Sequence, residues 1–171
     1  MADLIEMIDI YNDDREFTGL TLSRKEKLSN GQYMLYVLAL IENKEGKFLI
    51  TQRALDKKWA AGQWEIPGGG ALAGEDSMKA ICREVFEETG LTINPSDAEI
   101  IYSYKNIDEK YGDNYFADIY LVKMDFTLDD IKLETRESTN VTLANVEEIK
   151  AIYEKDGFLH YKRICEALKI N

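Results

Sequence analysis

The sequence predicts an α+β fold built on a mixed β-sheet. Strand-like and helix-like segments are interspersed without the regular βαβ alternation of a doubly wound domain, and the tail from Asn145 on reads as helix. The opening residues alternate between apolar and polar, "LIEMIDIY" and "FTGLTLSR", around the polar turn "NDDRE". This pattern predicts an N-terminal β-hairpin extension within residues 1–30. "KEKLSNG" is a loop. "YMLYVLALI" is almost wholly apolar, as expected of a central strand covered on both faces. The turn "ENKEG" leads into a second strand, "KFLITQR". After the polar loop "ALDKKWAAGQ" come a short strand, "WEIP", and three glycines, Gly68 to Gly70. Glu75 to Glu88 reads as a helix stopped by Gly90, a residue suited to a left-handed C-terminal cap. Strands are expected near Glu99 to Lys105 and Tyr115 to Met124, and a loop from about Asp129 to Asn140. Residues 145–171 are expected to form one or two helices broken near Gly157.

With 171 residues, 45% of them hydrophobic and 31% charged, the chain has the composition of an ordinary globular domain, and one domain over 1–171 is the expectation. No stretch approaches the roughly 20 apolar residues of a membrane span. The first residues, "MADLIEMIDI", have no basic region or small-residue cleavage site, so they do not read as a signal peptide. Two cysteines, Cys82 and Cys165, make neither a disulfide framework nor a zinc pattern. These features predict a cytoplasmic protein without a membrane partner. The net charge of −11 argues against a nucleic-acid polymer as partner, because phosphate backbones select clustered Lys and Arg. Small phosphorylated substrates remain open, since bound divalent cations can supply the missing positive charge.

The stretch from Glu75 to Glu88 concentrates the chemistry. At about 100° per residue, Met78, Ile81, Cys82 and Val85 fall on one side of the helix. Glu84, Glu87 and Glu88 gather within roughly a third of a turn on the other. Like charges so spaced destabilise a helix. Oxygen-rich carboxylate clusters suit hard cations, Mg2+ or Mn2+, which would turn that repulsion into binding. The alternative from these glutamates alone is a solvated acidic face.

The neighbouring residues favour the site. From Gly69 to Leu91 the chain carries a glycine, five residues, Glu75, seven residues, then Arg83, Glu84, Val85, any residue, Glu87, Glu88, any residue, Gly90 and Leu91. This segment resembles, at every fixed position, the signature box of the Nudix hydrolase family: nine constrained positions over 23 residues. "GKFLITQRA" and "GQWEIPGGG" look like the strands preceding the box in family members, so the resemblance spans roughly residues 34–149. It implies a Nudix-type α/β/α sandwich and a metal-dependent hydrolase of a nucleoside diphosphate linked to another group. Glu84, Glu87, Glu88 and the Gly68 carbonyl would be metal ligands, for Mg2+ or Mn2+. Glu75 and Arg83 would pair to hold the box in register, with Arg83 also orienting a ligand carboxylate and Glu75 open to a direct role. Some members draw a general base from outside the box, six residues before a tryptophan. Here Leu143 stands at that tryptophan position and Glu137 six before it, with Glu134 as competitor.

Outside the box, Arg53 ends a strand aimed at the site and is a candidate diphosphate contact, against a surface salt bridge. Trp64 is a candidate base-stacking residue, against a packed core aromatic. Tyr33, Tyr36, Tyr104 and Tyr115 lie in or beside strands and read mostly as core. His160, the only histidine, lies in the tail, far along the chain from the box. Two rivals exist. The hairpin and box-like region also resemble isopentenyl diphosphate isomerase, but "WEIPGGG" lacks the cysteine that such isomerases carry before the box, and their histidine ligands are missing. A catalytically silent nucleotide-binding or regulatory module is the other. Among hydrolase substrates, nucleoside di- or triphosphates, ADP-ribose and other nucleotide sugars, and dinucleoside polyphosphates stay open, and a homodimer is plausible by family habit.

Overall fold

A computed structural model describes residues 4–171. The first three residues of the expected hairpin extension lie outside the described residues. In chain order the elements are β1 (Met7–Tyr11), β2 (Phe17–Ser23), β3 (Met34–Glu42), β4 (Phe48–Arg53), β5 (Trp64–Glu65), β6 (Gly68–Gly70), α1 (Ser77–Thr89), β7 (Ala98–Asn106), β8 (Tyr115–Lys123), β9 (Ser138–Ala144), α2 (Val146–Asp156) and α3 (Tyr161–Leu168). Strands β1 and β2 pair with each other as the predicted hairpin, and the other seven form a mixed sheet in the order β5-β4-β3-β8-β7. β6 adds to β3 and β9 to β4. The β3–β8 pair is parallel, from Met34 opposite Tyr115 to Glu42 opposite Lys123, while β7 runs antiparallel to β8.

β3 organises both cores. Because successive side chains of a strand point to opposite faces, Leu35, Val37, Ala39 and Ile41 join one cluster with Ala80, Ile81 and Val85 of α1. Leu38 and Leu40 join the other, with Ile149 of α2 and Ile164 and Ala167 of α3. Helices therefore cover both faces of the sheet, which is the expected α/β/α sandwich. A small third cluster of Ile8, Ile10 and Leu28, with Met34 against it, seats the hairpin. The 3.6-residue pattern of α1 directs Met78 and Cys82 inward with Ile81 and Val85.

Three elements differ from expectation. Glu75 precedes α1 instead of opening it: Asp76 is the N-cap, accepting from the Lys79 backbone N–H at 2.8 Å. Residues 138–144, partly expected as loop, form β9 along β4, with Leu143 opposite Leu49. Its mixed, partly polar sequence suits an edge position exposed on one side. The three glycines pair with β3 as β6, Gly68 opposite Leu38 and Gly70 opposite Tyr36. A Cβ on Gly68 would overlap the Val37 carbonyl oxygen and lie 2.9 Å from Leu38 Cα, so this closeness requires glycine. The other end of the box stops as predicted, with Gly90 at φ 75° donating its N–H to the Phe86 carbonyl.

Candidate active site

Six residues connect β6 to α1, and Arg83 fastens the two elements together. Its Nε and Nη2 donate to Glu75 at 2.7 and 3.0 Å, and Nη2 also reaches the Gly70 carbonyl at 3.0 Å. Nη1 donates to Glu84 at 3.0 Å and to Glu87 at 3.1 Å. A planar five-donor guanidinium can serve all these acceptors, whereas an ammonium could not. Burial opposes the charge on Arg83, yet its bonds to Glu75 and the nearby Glu84 raise its pKa above the usual value. Burial likewise works against the Glu75 carboxylate, but the bonds from Arg83 and the Leu72 N–H hold its pKa low.

The remaining box glutamates differ in setting. Glu84 is buried beneath Gly69, where a Cβ would come within 2.5 Å of its Cδ. Burial pushes its pKa up, with Arg83 opposing. Glu88 accepts one long bond, from the Gly68 N–H at 3.3 Å, and burial with Glu84 and Glu65 nearby pushes its pKa well up. Glu87 lies at the rim, its side chain 57% exposed. These carboxylates line one cleft of about 920 Å³ together with Gly68, Gly69, Arg53, Lys57, Glu134 and Glu137.

Among the described residues, no three such carboxylates converge closely enough to enclose a cation by themselves. The single point of convergence expected from the helical wheel is replaced by Arg83, which sits between Glu84 and Glu87. The chemistry of the donor set nevertheless fits a hard cation. Two crowded carboxylates whose pKa values burial pushes up, one with a single long hydrogen bond, are oxygen donors whose charged form a hard cation would stabilise.

The other candidates divide. Arg53 lines the cleft and donates to Glu65 at 3.3 Å, with its Cζ 5.3 Å from the centre of the Trp59 ring. Glu137 lines the cleft and receives a bond from Lys57. Glu134 lines it as well, with Arg136 3.1 Å away. Trp64 is not among the cleft-lining residues; it packs against the α2–α3 core and gives its carbonyl to the Leu159 N–H at 2.9 Å. Tyr36 borders the cleft, and behind it Tyr115 and His160 have ring centres 5.4 and 6.1 Å away. His160, remote in sequence, is thus one residue removed from the cleft, its pKa pushed down to about 4 by burial and by Arg53. Sequence reasoning missed several cleft residues, among them Arg24, Lys25, Lys57 and Glu65. Burial raises the pKa of Glu65, with Arg53 opposing. The place of Glu65 beside Trp64 at the head of the glycines was the available signal.

A seven-stranded mixed sheet between helices, with a glycine-flanked helix laying acidic residues into a cleft, defines a Nudix-type domain. A NUDIX domain model matches residues 32–162. The chain is 34% identical to an uncharacterised Nudix hydrolase of Listeria innocua, over 92% of this chain and 90% of that protein. It is 29% identical to the nucleoside triphosphatase NudI of an Enterobacter species, over 72% of this chain and 96% of that one. A crystal structure from Deinococcus radiodurans superposes with a TM-score of 0.76 at 17% identity, covering 95% and 99% of the two chains, a likeness of fold. The chain belongs to the Nudix hydrolase family.

Proposed function

We propose that this chain is a divalent-metal-dependent pyrophosphohydrolase of small nucleotide derivatives, cleaving a nucleoside diphosphate linked to another group. As a Nudix hydrolase it is an enzyme acting on phosphoanhydride bonds. The reading is carried by one observation: the complete box is folded so that Gly68, Glu84, Glu87 and Glu88 share one cleft. Glu84, Glu87, Glu88 and the Gly68 carbonyl would hold Mg2+, or Mn2+. Such an ion, when bound, neutralises phosphate charge and makes a water more acidic.

The protein's own groups do the rest. Arg83 fixes the angle between the glycine strand and α1 and orients Glu84 and Glu87. Arg53 offers its guanidinium to phosphate oxygens. Glu137, oriented by Lys57, takes the proton as the water oxygen attacks phosphorus and the bridging P–O bond breaks, leaving two phosphate-ended products. Isomerase chemistry fits poorly, because neither Cys82 nor Cys165 lines the cleft. Since β3 contributes to both cores, we read residues 1–171 as one domain. No helix among the described residues is long and apolar enough to cross a membrane. We place the protein in the cytoplasm, as a homodimer that contacts through the hairpin, where Phe17 and Leu20 are exposed.

The test is incubation with nucleotides, nucleotide sugars and isopentenyl diphosphate, with and without Mg2+, and with Glu87→Gln as control. Metal-dependent cleavage of one diphosphate class, lost in the variant, supports the reading. Binding without turnover would replace it with the silent-module reading.

A further inference from the structure

The cleft has a wall that the Nudix box does not supply. Arg24 and Lys25, directly after β2, line it from the N-terminal hairpin. The Arg24 backbone N–H donates to the Glu6 carbonyl at 2.9 Å, and its Nη1 to the Glu6 carboxylate at 2.8 Å, which ties the residue to the strand opposite. Its guanidinium lies against β6: a Cβ on Gly70 would be 3.3 Å from Arg24 Cζ. The same glycine's carbonyl accepts from Arg83, so the two arginines flank it from different elements. The positive charge of Arg24 also acts on Glu84 and Tyr36, partly countering what burial does to each.

The cleft's other cations are engaged as well, Arg136 with Glu134 on the exposed surface. Arg53 is paired with Glu65, and both side chains are largely buried; Lys57 is paired with Glu137. Arg24 is 39% exposed, and its partner Glu6 is also partly exposed. Exposed pairs of this kind contribute little, so exchanging Glu6 for a phosphate costs little. Positive charge therefore reaches the glutamate-lined cleft from two separate elements, the hairpin and the end of β4. That arrangement fits an elongated polyanion with charge on each side of the bond being cut.

We propose that Arg24, backed by Lys25, is a substrate-binding residue delivered by the N-terminal hairpin, gripping the phosphate chain from a different element than Arg53. It favours nucleoside triphosphates over nucleotide sugars, whose distal group is neutral. This rests on the reading of the cleft as a phosphoanhydride-cleaving site and names its preferred substrate class. A guanidinium meets two phosphate oxygens at once, which an ammonium cannot.

The experiment compares wild type with Arg24→Ala, Arg24→Lys and Glu6→Ala in Mg2+. Calorimetry measures binding of inorganic tripolyphosphate, and kinetics are followed on ATP and UDP-glucose. Arg24→Ala should weaken tripolyphosphate binding about tenfold or more, the ordinary effect of losing a charge-assisted hydrogen bond. Its KM for ATP should rise in parallel while kcat holds within about threefold. Arg24→Lys should recover part of the loss. Glu6→Ala should bind tripolyphosphate at least as tightly as wild type. Unchanged tripolyphosphate binding in Arg24→Ala would overturn the proposal, and so would an equal KM rise for UDP-glucose. An equal loss in Glu6→Ala would also overturn it, since Arg24 would then only staple the hairpin. If the wild type cleaves nothing yet binds tripolyphosphate through Arg24, the contact stands and the hydrolase reading falls.

Discussion

Replacing Arg15 with alanine should strand a carboxylate that the fold encloses completely. Asp118, in β8, has 0% exposure, and accepts from Arg15 Nη1 at 2.8 Å and from the Ser77 and Ser103 hydroxyls at 2.6 Å each. Arg15 lies in the hairpin turn and Ser77 opens α1, so this acid joins the hairpin, the sheet and the box helix. Burial alone would push its carboxyl up, but the bonds from Arg15, Ser103 and Ser77 prevail and hold its pKa below the ordinary value. Removing one partner of a buried pair costs about 3–5 kcal/mol. Arg15 is 35% exposed and both hydroxyls would remain, so the loss belongs near the lower end, about 3 kcal/mol. For a chain of this size that corresponds to a Tm lower by about 6–12 °C.

The pH dependence follows from the sign of the shift. A carboxyl whose folded pKa is depressed stabilises the fold above its unfolded value, about 3.9. That contribution is lost as pH falls through the folded value. Without Arg15 the carboxyl titrates higher, so the gap between the two proteins should be full at pH 7 and narrow as pH falls, first through the variant's raised folded pKa and last through the wild type's depressed one. Urea unfolding at pH 7 and across the acid range measures both. A gap under about 1 kcal/mol at pH 7, or one that stays constant into acid, would refute the reasoning.

Four further outcomes are expected. Glu87→Gln, at the exposed rim, should lower kcat at least about a hundredfold while leaving the unfolding free energy in urea within about 0.5 kcal/mol of wild type. Gly68→Ala forces a methyl into the Val37 backbone, which cannot yield as a side chain can. It should cost about 1–3 kcal/mol in the same unfolding measurement. Gly90→Ala places a side chain at φ 75° and 2.9 Å from Lys132 Cβ; a loss of at least about 1 kcal/mol should appear in thermal melts. Mg2+ at a hundred times its Kd should stabilise the metal-free protein by about 2.7 kcal/mol, and calorimetric melts of Glu88→Gln should show most of that gain missing.

Much of the architecture was legible because its signals are local. The apolar run of β3 marks a strand covered on both faces, and Met78, Ile81, Cys82 and Val85 mark the buried side of α1. Gly90 marks that helix's end, and the spacing from Gly69 to Leu91 marks the family. Glu75 was misplaced by only two residues, because Asp76, a better cap, closes the helix after it. β9 was harder to read: an edge strand carries polar residues on its open side, so its alternation is weak until β4 is known to lie beside it.

What lay beyond local pattern was the company each side chain keeps. Spacing along a helix placed Glu84, Glu87 and Glu88 on one side, but not Arg83 reaching between two of them. Arg24 meets Gly70 across 46 residues of chain, Arg15 meets Asp118 across 103, and Lys57 meets Glu137 across 80. Periodicity reports which face of an element turns inward, because it depends on a few neighbouring residues. Which distant faces then meet depends on strand order and register, and those are set only when the whole sheet has been paired and both its faces covered.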